Sequence, residues 1–179
     1  MAKGLLSFVL GAVFILALVS SGALISGQRP DYSYEKYRST LVSEVAIKQS
    51  YYYAVSEAAS FALNASLAAG ANPQQAIMAA ALSQSLSFES QLRLQGHDVI
   101  FWCGEVSEES RQLSSLQMAE QKKAIAPEGT LPLLACAESF EANLLARKLH
   151  FIDIGFSFYS TGSGIGKAVV LPSSYEVGF

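Results

Sequence analysis

Two cysteines, Cys103 and Cys136, are the first candidates for chemistry in this chain of 179 residues. Each follows an apolar run, so both could belong to one hydrophobic core. Outside the cytoplasm such a pair forms a disulfide, which would stabilise the fold by roughly 3–4 kcal/mol in the chain-entropy model. Two buried thiols are the alternative. A zinc site would need two more ligands, and neither His97 nor His150 is closely spaced to a cysteine.

A glycine-rich segment at residues 162–167 has the composition of a phosphate-binding loop. Thr161 occupies the place of that motif's first glycine, and Ala168 occupies the place of the hydroxyl residue after the lysine. The loop should also open a helix whose N-terminus binds phosphate, whereas residues 168–171 predict a strand. The segment therefore predicts a hairpin turn and not a nucleotide site.

The remaining acid–base and nucleophilic candidates do not form a recognisable catalytic set. His97 and Asp98 precede Cys103, but nothing in the sequence shows that they converge, and a disulfide would consume the thiol. His150 and Asp153 would face opposite sides of a strand. Further carboxylates stand at a helix start, where they commonly interact with the helix dipole (Glu105, Glu108, Glu109). We therefore predict that the protein is not an enzyme and that it needs no metal or cofactor.

Charge and composition narrow the choice of partners. The formal net charge is −3, and charged residues make up only 15% of the chain. Nucleic acid is not an expected partner, because its recognition needs a basic surface. The low charged fraction, with abundant Ala, Ser, Leu and Tyr, suits packed helices that bury most of their surface, in part against further copies of the chain.

Residues 5–27 form a continuous stretch without a charged side chain, between Lys3 and Arg29. As a helix this stretch spans roughly 34 Å, enough to cross a membrane's hydrocarbon core. Three interpretations fit: an uncleaved membrane anchor, a cleaved secretory signal peptide, and a short basic leader before an apolar helix that stays with the mature protein. The predicted organisation is an anchor or leader helix at 1–28 and an extracytoplasmic domain at 29–179. The protein would then cross the membrane once, with lipid as a partner.

The rest of the chain predicts an α+β domain. A long amphipathic helix over residues 34–69 ends at Gly70, and a second helix begins with Asn72 as its cap and Pro73 as its first residue. That helix runs to residue 94. The further elements are a buried strand at 99–103, a helix from the Ser107 cap to 124, a short helix at 139–149, a strand at 152–158 with one apolar face, a turn at 161–166, and strands at 167–171 and 175–179. The last strands predict a small antiparallel sheet packed on the helices.

The long helix carries an apolar stripe at three- and four-residue spacing, which includes Leu41, Val45 and Tyr52, whereas Glu44 lies off the stripe. The same helix contains Asn64-Ala65-Ser66, which fits the N-glycosylation pattern. Its position inside a helix disfavours its use, because such acceptors normally lie in surface loops.

The N-terminal region resembles type IV pilin-like proteins, including the archaeal kind. Lys3-Gly4 followed directly by Leu5 is similar to a prepilin-peptidase site, and the resemblance implies cleavage between Gly4 and Leu5. An apolar helix leading into a long amphipathic helix, then a β-rich end with one cysteine pair, is also similar to that family's plan. Val9 stands where bacterial pilins usually carry Glu, which many archaeal relatives lack. The resemblance implies a minor or accessory subunit of an assembled structure in the cell envelope.

Two functional hypotheses follow. The first is a structural subunit that assembles with copies of itself or with other envelope or pilus subunits. Small residues let membrane helices approach closely, and Ser7 and Gly11 lie in such a row, while Tyr52 is a further candidate for helix packing. The alternative is a ligand-binding or sensory ectodomain, with the tyrosines, Trp102 and the last hairpin lining a pocket. An exposed apolar stripe beside a filled core would favour assembly, and a large apolar cavity would favour ligand binding.

Overall fold

The computed structural model describes residues 32–172 and 176–179. Within them the chain forms three α-helices and two antiparallel sheets, so the predicted α+β class is confirmed. No helix in this part of the chain is long and apolar enough to cross a membrane. The apolar segment at residues 5–27 lies outside the described residues. The chain divides into two units, Met1–Arg38 and Ser39–Phe179, and the contacts given below lie within the second.

Local capping explains where the helices begin and end. The helices are α1 (Tyr32–Ala69), α2 (Pro73–Leu94) and α3 (Glu108–Gln121). Gly70 follows α1 with φ +66°, a left-handed conformation that glycine adopts without strain. The side chain of Asn72 accepts a hydrogen bond from the Gln74 N–H at 3.1 Å, and Ser107 accepts one from the Ser110 N–H at 3.1 Å. Both predicted caps are therefore confirmed, and α3 ends three residues earlier than predicted.

The large sheet has four antiparallel strands. In spatial order they are β2 (Leu131–Pro132), β1 (Asp98–Cys103), β5 (Ile154–Ser160) and β6 (Ile165–Val170). Phe101 lies opposite Phe156, and Phe158 lies opposite Lys167. The predicted strand at 99–103 and the predicted hairpin around residues 161–166 are confirmed.

The small sheet corrects two predictions. Its strands, in spatial order, are β3 (Phe140–Asn143), β4 (Lys148–Phe151) and β7 (Glu176–Gly178). The helix predicted at 139–149 is wrong: the segment is the β3–β4 hairpin, in which Phe140 and Ala142 alternate inward on one strand and Leu149 on the other. Packing of alternate residues outweighs the good helix propensity of Ala, Glu, Leu and Arg. The prediction that the last strands form one small antiparallel sheet is also wrong, because β7 pairs with β4 and not with β6.

The large sheet is covered on both faces. One face packs with α1, α2 and the small sheet in a core that contains Tyr51, Phe101, Phe151 and Phe156. The other packs with α3 through Trp102, Met118 and Tyr159. The prediction that residues 152–158 would have a single apolar face is therefore wrong, since residues 154–159 of β5 are all buried. β5 is buried on both faces because α3 covers the second face of the sheet, although the sequence of α3 is polar.

Candidate interaction surface

The predicted disulfide joins Cys103 to Cys136, with the two Cα atoms 5.7 Å apart. Cys103 ends β1, and Cys136 lies between two short 3₁₀ turns, Leu133–Ala135 and Ala137–Ser139, that follow β2. Both residues are buried. The bond ties the large sheet to the segment that leads into the small sheet, and it leaves neither sulfur free to act as a nucleophile or a metal ligand.

Three of the other polar candidates, Asp98, His150 and Lys167, have structural partners. The carboxylate of Asp98 accepts a hydrogen bond from the Ala124 N–H at 2.8 Å, and His150 lies 3.5 Å from Glu176. The glycine-rich segment turns the chain from β5 into β6, and its lysine, Lys167, pairs with Glu44. Among residues 32–172 and 176–179, no group of three His, Cys, Asp or Glu side chains is arranged to hold a metal ion.

The middle of α1 is anchored in the core by tyrosines. Tyr51 is fully buried, and its hydroxyl lies 2.8 Å from that of Ser85, which itself donates to the Ala81 carbonyl at 2.7 Å. Tyr51 must therefore donate to Ser85, and burial raises the pKa of its phenol well above the ordinary range. Tyr52 is 8% exposed, with its ring edge-on to Phe151 at 5.4 Å.

The structure describes one residue predicted for helix packing, Tyr52, and one predicted to line a ligand pocket, Trp102. Tyr52 packs inside its own domain, and Trp102 is fully buried under α3. Both rings therefore help to fill the core. Ser7 and Gly11, together with the predicted cleavage point at Gly4 and Leu5, lie outside the described residues, so those assignments stay predictions.

Near its beginning α1 turns a polar side inward and an apolar side outward. Leu41, Val42 and Val45 are 38%, 62% and 48% exposed, whereas Thr40 and Glu44 are buried. This reverses the prediction, in which Leu41 and Val45 continued the inward stripe. The residues that do face the core repeat every fourth position (Ile47, Tyr51, Val55, Ala59). Sequence periodicity did not identify Val42 as a surface residue. The signal that could have identified it is the presence of two apolar rows on α1, of which only one can face the core.

Polar contacts with the β5–β6 hairpin hold this orientation. The Thr40 hydroxyl lies 3.1 Å from that of Ser163. Glu44 pairs with Lys48 at 2.8 Å and also with Lys167. Burial by itself would raise the pKa of Glu44, but hydrogen bonds and charge from both lysines outweigh burial and hold it below its usual value. The carboxylate is thus ionised at neutral pH and compensated within the domain.

A groove of about 390 Å³ adjoins the exposed residues and runs between α1 and the end of α2. We call it the α1–α2 groove; its lining comprises Val42, Ser43, Ala46, Ile47 and Ser50 from α1, and Phe88, Gln91, Leu92, Gln95 and His97 from α2 and the turn after it. Phe88 and Leu92 are largely buried there. His97 is the only lining residue that can carry a charge.

Beside the groove, α1 carries a strip of exposed residues, none of which has a charged side chain. This face comprises Leu41, Val42, Val45, Ala46 and Gln49, and we call it the α1 face. Because it has no charged side chain, it can be covered by another apolar surface without burying an ion.

Comparison with known proteins found no matching family model, no similar curated protein and no similar solved structure.

Proposed function

We propose that this protein is a membrane-anchored, extracytoplasmic, non-enzymatic subunit that assembles with further copies of itself in the cell envelope. The observation that carries the proposal is the α1 face, where Val42 and Val45 are about half exposed or more. A contiguous apolar patch that is rimmed by polar residues is typical of an interaction site. The filled aromatic core behind it favours assembly over ligand binding.

A second copy suits this face because the face is uncharged and therefore compatible with itself. Glu44, the one carboxylate within residues 41–49, is buried and paired with Lys48 and Lys167. Two copies can bring their α1 faces together without removing an unpaired carboxylate from water.

The anchor and the placement outside the cytoplasm are supported by two features of the sequence and fold. The apolar segment at residues 5–27 precedes α1 by only a few residues, and anchoring would confine copies to one plane and raise their effective concentration. The Cys103–Cys136 disulfide is typical of an oxidising compartment.

Substitutions that place a single charge on the α1 face test whether this face mediates the assembly. In the full-length protein purified in detergent, we expect Val42→Glu and Val45→Glu to shift the particle mass toward the monomer, because each buries a carboxylate in the contact. Leu145→Glu is the matched control, since Leu145 is fully exposed at the tip between β3 and β4. Light scattering coupled to size exclusion measures the mass.

Two results would contradict this proposal. One is a wild-type protein that stays monomeric at every concentration tested. The other is an assembly that survives both α1 substitutions, or that Leu145→Glu disrupts equally. Intact mass of the native protein tests the N-terminus separately: loss of Met1 to Gly4 supports pilin-type processing, and loss of the whole apolar segment contradicts a permanent anchor.

The α1–α2 groove supports a second candidate function, a ligand-binding ectodomain. Its volume of about 390 Å³ lies within the range of small-molecule sites, and its apolar lining carries a few polar groups (Gln91, Gln95, His97). Titration with an apolar fluorescent probe tests it. Saturable binding that Ala46→Trp abolishes, in a protein that stays monomeric, would favour this function over assembly.

A further inference from the structure

Asn64-Ala65-Ser66 is the one Asn-X-Ser/Thr segment in the chain; Asn72 is followed by Pro73, and Asn143 has Leu145 in the third place. Asn64 lies five residues before the end of α1, and it is exposed. It therefore lies near a helix end, at the surface.

Asn64 opens onto a groove with two exposed aromatic rings. The groove has a volume of about 580 Å³, and its lining includes Tyr53, Glu57, Ser60 and Phe61, with the C-terminal Phe179. Tyr53 is 72% exposed and Phe61 is 76% exposed. Aromatic faces pack against the C–H faces of sugar rings, and the carboxylate and hydroxyl between them can bond to sugar hydroxyls. We call this region the Asn64 groove.

The last six residues of α1 can open at small cost, which matters because a transferase must reach the backbone around Asn64. From residue 64 to residue 69, Ser66 is the only buried residue. Its hydroxyl donates to the Leu63 carbonyl at 2.9 Å, and its own carbonyl accepts from the Ala71 N–H at 2.9 Å. Fraying of these six residues exposes one buried side chain, and a small one, so the helical position is a weak obstacle.

We propose that Asn64 is the attachment site of an N-linked glycan. In the transfer, Nδ2 of Asn64 forms a bond to the anomeric carbon of a glycan carried on a polyprenyl phosphate or diphosphate. The bond between that carbon and the phosphate oxygen breaks, the lipid phosphate leaves, and the amide proton passes to a base on a membrane-bound transferase. No group is oxidised or reduced. The Asn-X-Ser pattern supplies the hydroxyl of Ser66 for recognition.

The attached glycan covers Tyr53 and Phe61 and leaves the α1 face free. Val45 and Asn64 are separated by about 28 Å along α1 at the rise of an α-helix. A bulky, solubilising group at Asn64 therefore shields the exposed rings at one end of the helix and confines association to the other end. This inference rests on the extracytoplasmic placement in the proposed function.

Peptide mapping of the full-length protein, purified from the organism that naturally produces it, tests the site. Cleavage after Lys and Arg releases residues 49–93 as one peptide, which contains Asn64 and also Asn72 as an internal comparison. We expect the measured mass of this peptide to exceed the mass calculated from its sequence by the mass of one or more sugar residues. Asn64→Gln and Ser66→Ala should both abolish the excess, and Ser66→Thr should retain it.

The same digest separates failure of this site from failure of the proposed placement. Residues 94–111 and 124–147 contain the two cysteines and stay joined while the disulfide is intact. If the 49–93 peptide is unmodified and the two cysteine-containing peptides are still joined, the glycan proposal is overturned and the extracytoplasmic placement is not. Reduced cysteines would count against the placement itself. An excess that persists in Asn64→Gln would place the modification on another residue and overturn the assignment.

Discussion

Among the glycines that the structure describes, Gly155 is the one where an added Cβ would come closest to another side chain. It lies on β5 directly opposite Trp102, and a Cβ placed on it would be 2.1 Å from the Cη2 atom and 2.4 Å from the Cζ2 atom of the indole ring. Trp102 is fully buried, and its Nε1 donates to the Ser157 hydroxyl at 3.0 Å. Movement of the ring away from an added Cβ would therefore disturb that hydrogen bond.

The size of the effect follows from these contacts. Overpacking of a filled core costs about 1–3 kcal/mol, and loss of the buried indole hydrogen bond adds about 1 kcal/mol. We expect Gly155→Ala to lower the free energy of unfolding by about 2–4 kcal/mol. Gly162→Ala is the matched control, because a Cβ there meets no atom within 4 Å. It should leave stability unchanged or raise it by up to about 1 kcal/mol.

Urea unfolding of the full-length protein, followed by Trp102 fluorescence, measures both variants. Trp102 is the chain's single tryptophan, so the signal comes from the perturbed site itself. A Gly155→Ala variant within about 0.5 kcal/mol of the wild type would refute the packing argument, since that is the range of neutral surface changes. An equal loss in Gly162→Ala would also refute it.

Three further predictions use the same unfolding assay. Replacing Cys103 and Cys136 together by Ala should cost about 3–4 kcal/mol, the chain-entropy estimate for a loop of this size, and no change would mean that the disulfide is not formed. Tyr51→Phe should cost about 1 kcal/mol, because Ser85 loses its buried donor; stabilisation would contradict that hydrogen bond. The pKa of Glu44 is lower in the folded state than its ordinary value of 4.5, so the stability it contributes is present above that value and is lost as the pH falls through the folded-state pKa. Glu44→Gln should reduce this acid slope, and an unchanged slope would assign it to other groups, such as Glu176, whose pKa is also lowered.

The sequence alone determined the features that depend on a few neighbouring residues. Asn72 with Pro73, Ser107 and Gly70 predicted helix ends correctly, because capping satisfies backbone groups within one turn. The hairpin around residues 161–166 followed from its glycines and the apolar runs beside it. Pairing of the cysteines could be predicted because the chain contains only two.

Tertiary structure alone decided which sides of residues 139–149 and of β5 are inward. Residues 139–149 have helical composition but form the β3–β4 hairpin, because alternate residues there reach the same core as Tyr51. β5 is buried on both faces because α3, a polar helix, covers the side that the sequence pattern assigned to solvent.

The candidate interaction surface shows the same division. Periodicity predicted that Leu41 and Val45 would face inward with the rest of the apolar stripe. The inward positions are instead taken by Thr40 and Glu44, because Ser163 and Lys167 on a distant hairpin offer them hydrogen bonds and compensating charge. A sequence pattern records which side chains are apolar, but partners more than a hundred residues away decide which of them are left exposed.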